Sequence, residues 1–332
     1  MKLLLNYKLT LPPEERRALA ALAPGLVIEE QPARPAEALD GTGVTVLVSD
    51  HVPRDRRAWP ELRWVQLLAA GANHLRGHPI LESGLPVTTA SGLHGVPIAQ
   101  FVTCTWLMMA HRMKEVLEFE RDRRWPDRLA LAGWTVRGLT AGIVGYGSIG
   151  RECARQLSAL GMRVIALKRD PANRRDDDYN AWPGTGDPEG RLPEAWYGQD
   201  ELRRMLPACD LVVVTVPCTP ATEGLIGREE LAAMKPSARL INVSRGEIVD
   251  EAALAAALRE GRLAGAAVDC YVGEPIGTDH FLFGVPNLIM TPHMSGVSTS
   301  FAAVMAALVR ENLQRFVAGR PLLNRLDPRR GY

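Results

Sequence analysis

Ala141-Gly142-Ile143-Val144-Gly145-Tyr146-Gly147-Ser148-Ile149-Gly150 is the stretch on which the reading of this chain turns. Its first four residues continue an apolar, strand-length run from Thr140, and the last six carry the spacing G-x-G-x-x-G. The residues that follow place Ile149, Cys153, Leu157 and Leu160 on one face of a helix, which Gly161 ends. Glycine is common, so the hexapeptide alone says little; a strand before it and a helix after it make it a dinucleotide-binding turn. Gly145 permits the tight turn, Gly147 lets the backbone approach a pyrophosphate, and Gly150 lets helix and strand pack closely. The helix N-terminus offers free N–H groups and a positive partial charge to the phosphates.

Around that turn the chain alternates strands and helices. Thr140–Val144, Arg163–Lys168, Leu211–Val216, Arg239–Val243, Gly265–Val268 and Leu288–Thr291 are six strand candidates, the number a complete dinucleotide-binding sheet needs. Helices are expected at Ile149–Leu160, Glu229–Met234 and Glu251–Glu260. Upstream, Leu3–Tyr7, Leu26–Glu30, Val44–Ser49, Trp64–Leu68 and Val87–Thr89 are five more short strands, with a helix expected from Pro12-Pro13-Glu14-Glu15 onward. Strands alternating with helices imply parallel sheets covered on both faces. The expected class is therefore α/β, with two doubly wound parallel-sheet domains. One long helix is expected from Ile98 to about Arg124, bridging the two, and a last helix from about Ser298 to Ala318, packing back on the first. Arg169 to Gln199, rich in Asp, Pro and Gly, reads as a surface excursion.

Composition narrows the function. The chain has 332 residues, with 39 Lys and Arg against 38 Asp and Glu. That balance lacks the basic excess of a nucleic-acid-binding domain. No apolar stretch approaches the ~18 residues that cross a bilayer, which argues against a membrane partner. Met1-Lys2-Leu3-Leu4-Leu5-Asn6 breaks off too early for a signal-peptide core and is expected to be a first strand. Cys104, Cys153, Cys209, Cys218 and Cys270 are scattered and odd in number, which fits neither a zinc site nor a disulfide framework. A reduced, cytoplasmic protein is expected.

The acid that would hold the adenosine ribose of NAD lies about 20 positions beyond the glycines. Here that place is taken by Lys168, with Arg169 next to it. A cationic pair suits a 2′-phosphate, so NADP(H) is the expected coenzyme, with NAD(H) possible. Asp170 is an alternative ribose ligand if the strand runs longer, and the two cations also suit a solvated strand end.

Three further residues follow successive strands. Arg245 lies in Asn242-Val243-Ser244-Arg245-Gly246-Glu247, Glu274 in Val268-Asp269-Cys270-Tyr271-Val272-Gly273-Glu274-Pro275, and His293 in Met290-Thr291-Pro292-His293-Met294-Ser295-Gly296. Ligands of open α/β sheets bind along this carboxyl-end edge, where the glycine turn also sits. Arginine presents a donor fork that matches a carboxylate. Histidine exchanges protons near neutrality. Glutamate can orient the imidazole and favour its charged form.

These motifs, in this order and over nearly the whole chain, resemble the D-isomer-specific 2-hydroxyacid dehydrogenases. The resemblance implies a Rossmann coenzyme domain, residues 99–295, inserted into a flavodoxin-like substrate domain built from residues 1–98 and 296–332. It implies a homodimer held largely by the coenzyme domains, with catalysis in a cleft. Carried over, Arg245 would hold the substrate carboxylate and carbonyl, His293 would be the acid/base and Glu274 its partner. Ser148 and Ile149 would cover the pyrophosphate. Val216, Cys218, Ser244 and Gly296 would line the coenzyme pocket, and Asp269 would contact the nicotinamide amide. Ala70, Gly71 and Ala72 resemble the loop whose N–H groups meet the substrate carboxylate.

Asn73 stands where the family usually has Asp, and Gln100 where it has an acid, while His94 occupies a variable substrate-side loop. The expected reaction is hydride transfer between the nicotinamide and a small 2-hydroxy or 2-keto acid, with glyoxylate or hydroxypyruvate first among substrates. Two rivals remain on the same scaffold. One is a dinucleotide-sensing binding protein like the C-terminal binding protein corepressors; the other is an enzyme acting on phosphite or formate.

Overall fold

Every strand of this protein runs parallel to its sheet neighbours, in a computed structural model that describes residues 1–7 and 10–329. The chain gathers into two compact units. One comprises residues 1–94, 178–183 and 297–332, the other residues 95–177 and 184–296.

In the first unit, β1 (Lys2–Asn6), α1 (Pro13–Ala20), β2 (Val27–Gln31), β3 (Val44–Val48), β4 (Trp64–Gln66) and β5 (Val87–Thr88) follow one another. Helix α1 begins with Pro13 in its first turn and Glu14 and Glu15 beside it, a start suited to proline's fixed φ and to the helix dipole. The sheet order is β2-β1-β3-β4-β5, that of a flavodoxin-like fold. Alternation along the strands divides the core. Leu3, Leu5, Val46 and Val48 meet Leu19 and the last helix, Phe301–Val317, through Met305, Leu308, Val309 and Leu313. Leu4, Val44, Leu47 and Val65 form the other face with Trp59, Leu62 and Ile80.

The second unit contains α2 (Gly95–Ala110), α3 (Met113–Asp122), β6 (Thr140–Val144), α4 (Ser148–Ala159), β7 (Arg163–Leu167), β8 (Ala195–Tyr197), α5 (Leu202–Met205), β9 (Leu211–Val214), α6 (Arg228–Ala233), β10 (Arg239–Asn242), α7 (Glu251–Arg259), β11 (Gly265–Val268) and β12 (Leu288–Met290). The order β12-β11-β10-β9-β6-β7-β8 is that of a Rossmann sheet, with its switch point between β6 and β9. Both faces are buried, as parallel strands require. Ala141, Ile143, Leu211, Val213 and Ile241 line one face, while Val144, Val212, Val214 and Leu240 line the other.

Two expectations are corrected. The single helix foreseen from Ile98 to Arg124 is two: Arg112 takes φ 52° and breaks it after Ala110. The helix also starts three residues early, since a proline such as Pro97 is tolerated in a first turn. The excursion is not wholly irregular. Its Ala195–Tyr197 pairs with β7 as a seventh strand, and residues 178–183 belong to the first unit. Three residues are too few for an alternation signal.

Among the described residues, no helix is long and apolar enough to cross a membrane.

Candidate active site

The turn after β6 requires glycine at two of its three glycine positions, Gly145 and Gly150. Gly145 has φ +100°, and a Cβ there would come 2.8 Å from the Val216 nitrogen. A Cβ on Gly150 would lie 2.1 Å from the Gly145 carbonyl oxygen. Gly147, by contrast, is exposed, with nothing within 4 Å of an added Cβ. It stands at the N-cap of α4, where no side chain caps the helix. A close-packed turn, an open glycine and an uncapped helix start fit a pyrophosphate, with Ser148 and Ile149 in the first turn. Thr215, which the sequence reading passed over, donates its hydroxyl to the Gly145 carbonyl at 2.6 Å.

At the end of β7, Lys168 donates to the Asn173 carbonyl at 2.6 Å, and Arg169 follows it, exposed. Asp170 turns its carboxylate back to the N–H groups of Ala172 and Asn173. The acid thus folds its own loop, and the two cations mark the strand end. Beyond them the excursion is tied to α4. Buried Arg151 pairs with Asp176 at 2.8 Å and donates to the carbonyls of Asp187 and Arg174. The Tyr146 hydroxyl donates to the Asp187 carboxylate at 2.7 Å, and burial pushes this phenol well above its ordinary range. Only contacts distant in sequence create this network, so no local pattern announced it.

The pocket-lining candidates follow β9 and β10. Val216 and Cys218 are almost wholly buried, and the Ser244 hydroxyl donates to the Val216 carbonyl. Asn242 shapes the next turn, accepting from the Ser244 N–H at 3.1 Å and donating to the Arg245 carbonyl at 2.9 Å. The Arg245 guanidinium donates to the Ser244 carbonyl at 2.7 Å and remains half-buried.

Strands β10, β11 and β12 are adjacent and in register, with Asn242 opposite Val268 and Val268 opposite Met290. Arg245, Glu274 and His293 therefore leave the same sheet edge. Gly246 seats the first loop against the second, since a Cβ there would lie 2.1 Å from the Tyr271 carbonyl carbon. Buried Cys270 feels charge from Asp269, Arg245 and Glu274, and its thiol is pushed up, above all by burial. Glu274 divides its carboxylate: Oε1 accepts the Tyr271 N–H at 2.7 Å, and Oε2 lies 2.5 Å from His293 Nδ1. His293 adopts φ 52°, a left-handed conformation that costs a non-glycine residue on the order of 1–3 kcal/mol. Asp269, 1% exposed, holds that turn, accepting from the Thr291 hydroxyl at 2.6 Å and from the Met294 and Ser295 N–H groups. A carboxylate has about four acceptor positions, so one remains for a further donor. Gly296 closes the loop at the edge of this unit.

Ala70, Gly71 and Ala72 belong to the first unit, in the loop after β4. There Asp50 accepts the Leu68 and Ala69 N–H groups at 2.9 and 3.0 Å, shaping the turn. Asn73 begins a short 3-10 helix in the same loop, His94 stacks on Phe301 at 5.5 Å, and Gln100 is exposed on α2. Among the described residues, no group of three or more His, Cys, Asp or Glu could hold a metal ion.

Residues 104–295 match the family described as D-isomer specific 2-hydroxyacid dehydrogenase, NAD binding domain. The (S)-sulfolactate dehydrogenase of Chromohalobacter salexigens is 36% identical over 83% of this chain and 85% of its own length. A glyoxylate reductase of Aeropyrum pernix is 32% identical over 86% and 82%. Among solved structures, a D-isomer specific 2-hydroxyacid dehydrogenase of Xanthobacter autotrophicus, in complex with NADPH and MES, superposes with a TM-score of 0.80 at 29% identity, covering 100% of this chain and 99% of that one. An NADPH-dependent glyoxylate/hydroxypyruvate reductase of Sinorhizobium meliloti, in complex with NADP and sulfate, gives 0.79 at 25% identity, with the same coverage.

Proposed function

Because this chain belongs to the D-isomer-specific 2-hydroxyacid dehydrogenases, we propose that it interconverts a small 2-keto acid and its 2-hydroxy acid, preferring NADP(H) to NAD(H). The observation that carries this reading is the 2.5 Å pairing of His293 Nδ1 with Glu274 Oε2, on strand ends neighbouring that of Arg245. Bound along the glycine turn, the coenzyme supplies or accepts the hydride at C4 of its nicotinamide.

This chain's residues handle charge and protons. Arg245 offers its donor fork to the substrate carboxylate and to the oxygen that becomes alkoxide. With Nδ1 engaged by Glu274, His293 is left with Nε2 to face the substrate. In reduction, the protonated imidazole gives its proton to the carbonyl oxygen; in oxidation, the neutral ring takes the hydroxyl proton. Glu274 fixes the ring's orientation throughout. Asp269 keeps the His293 turn in place and has an acceptor position left for the carboxamide. Val216, Cys218, Ser244 and Gly296 line the same pocket. In the first unit, the N–H groups of Ala70, Gly71 and Ala72 are assigned to the carboxylate on the family resemblance.

The NADP(H) preference is supported by Lys168 and Arg169 at the end of β7 and by the inward turn of Asp170. Relatives crystallised with NADPH or NADP point the same way. A homodimer through the second unit is the proposed assembly. Helix α3 has no buried residue and, with the segment after it, exposes Leu117, Phe119, Trp125 and Leu129. The proposed location is cytoplasmic, in keeping with five cysteines that form no disulfide among the described residues.

A spectrophotometric screen of glyoxylate, hydroxypyruvate and larger 2-keto acids with NADPH and with NADH tests the activity. Phosphite and formate, in the oxidative direction, complete it. Turnover of a 2-keto acid supports the reading; oxidation of phosphite or formate alone, or no turnover at all, overturns it.

A further inference from the structure

The turn that carries Glu274 is hydrogen-bonded to a carboxylate on another element. Glu251, the first residue of α7, accepts the Val272 N–H on its Oε1 at 3.0 Å. Its other oxygen, Oε2, lies 3.7 Å from His280 Nε2, and both side chains are largely buried. His280 is packed among aromatic rings, with centroids 6.0 Å from Tyr271, 4.8 Å from Phe281 and 6.5 Å from Phe283. Among the described residues its buried Nδ1 has no hydrogen-bond partner, and Nε2 faces Glu251.

Within the same turn the Tyr271 N–H binds Glu274 Oε1, and the Tyr271 hydroxyl donates to the Thr291 carbonyl two residues before His293. Buried backbone N–H groups require partners. Here two consecutive N–H groups, that of buried Tyr271 and that of exposed Val272, are taken by two carboxylates. One of these is the proposed partner of the acid/base; the other is Glu251.

We infer that Glu251, braced by His280, is a positioning residue for the reaction: it fixes the Tyr271–Glu274 turn so that one Glu274 oxygen caps Tyr271 and the other orients His293. Glu251 touches no reacting atom and acts through Glu274. The inference rests on the proposed roles of Glu274 and His293.

The test is a double-mutant cycle, with glyoxylate and NADPH as substrates and NADPH affinity read separately by fluorescence titration. Misplacing a catalytic group by about 1 Å can cost up to ~10²-fold, so Glu251→Ala should lower kcat by about tenfold, with KM for glyoxylate and NADPH affinity little changed. Glu251→Gln keeps an oxygen for the Val272 N–H and should restore most of kcat. In a Glu274→Gln background, Glu251→Ala should cost almost nothing more, because residues acting through one another are not additive.

A loss that adds fully to that of Glu274→Gln, or an unchanged kcat in Glu251→Ala, overturns the positioning role. Where Glu251→Ala does not accumulate as folded protein, His280→Gln takes its place in the cycle under the same criteria. If Glu274→Gln and His293→Ala themselves leave turnover intact, the underlying roles fall, and this inference with them. If they cut turnover and Glu251→Ala does not, the positioning role alone falls.

Discussion

His293 Nδ1 stands 2.5 Å from Glu274 Oε2, although the two residues are 19 apart in sequence and sit on loops after different strands. Neighbouring parallel strands in register deliver both loops to one edge, and the left-handed backbone of His293 turns the ring back toward the glutamate. General acid/base groups contribute about 10²–10⁴-fold. His293→Ala should therefore reduce kcat for glyoxylate by about 10² or more while NADPH affinity stays near wild type. Steady-state rates combined with a fluorescence titration check this; unimpaired turnover would remove His293 from the reaction.

Coenzyme choice is expected to reside in Lys168 and Arg169. Hydrogen bonds to charged groups are worth about 1.5–3 kcal/mol, so Lys168→Ala with Arg169→Ala should lower kcat/KM for NADPH by about tenfold or more. The same double variant should leave kcat/KM for NADH almost unaltered. Equal losses with both coenzymes would place the 2′-phosphate elsewhere.

The glycine turn makes a paired prediction. A Cβ on Gly150 meets the Gly145 carbonyl at 2.1 Å, so Gly150→Ala should destabilise the protein by about 1–3 kcal/mol, the usual scale of overpacking. Gly147 has open space on that side, so Gly147→Val should melt near the wild-type temperature and yet bind NADPH poorly. Thermal melts with and without NADPH separate the two effects. A destabilised Gly147→Val that still binds would contradict the assignment.

Glu152 is buried, and burial alone would raise its pKa. Hydrogen bonds from Arg155, Gln156 and the Gly186 N–H outweigh that and hold the carboxyl below its ordinary 4.5. A depressed folded-state value stabilises the fold above the unfolded pKa, and the gain is lost as pH falls through the folded value. Glu152→Gln should therefore melt below wild type at pH 7, and the gap should narrow once the pH drops below about 4.5. Melts across pH 3 to 7 test this; a gap that is constant with pH would show that the charge plays no part.

Sequence alone determined what is local and periodic. The glycine spacing, its flanking strand and helix, and the short apolar runs of both sheets are set by steric fit at Gly145 and Gly150 and by burial of alternate residues. Arg245, Glu274 and His293 could be picked out as successive strand ends before any contact was known. Tertiary structure decided what depends on contacts between distant residues. It broke the helix at Arg112, where sequence showed neither Gly nor Pro. It made Ala195–Tyr197 a strand by pairing it with β7, and it tied the excursion to Arg151, Tyr146 and Glu152. It also joined Glu251 to the Val272 N–H, 21 residues away, and set Asp269 beneath the His293 turn. Such bonds arise from the packing of whole elements, and the spacing of residues along a chain carries no record of which carboxylate will meet which N–H group.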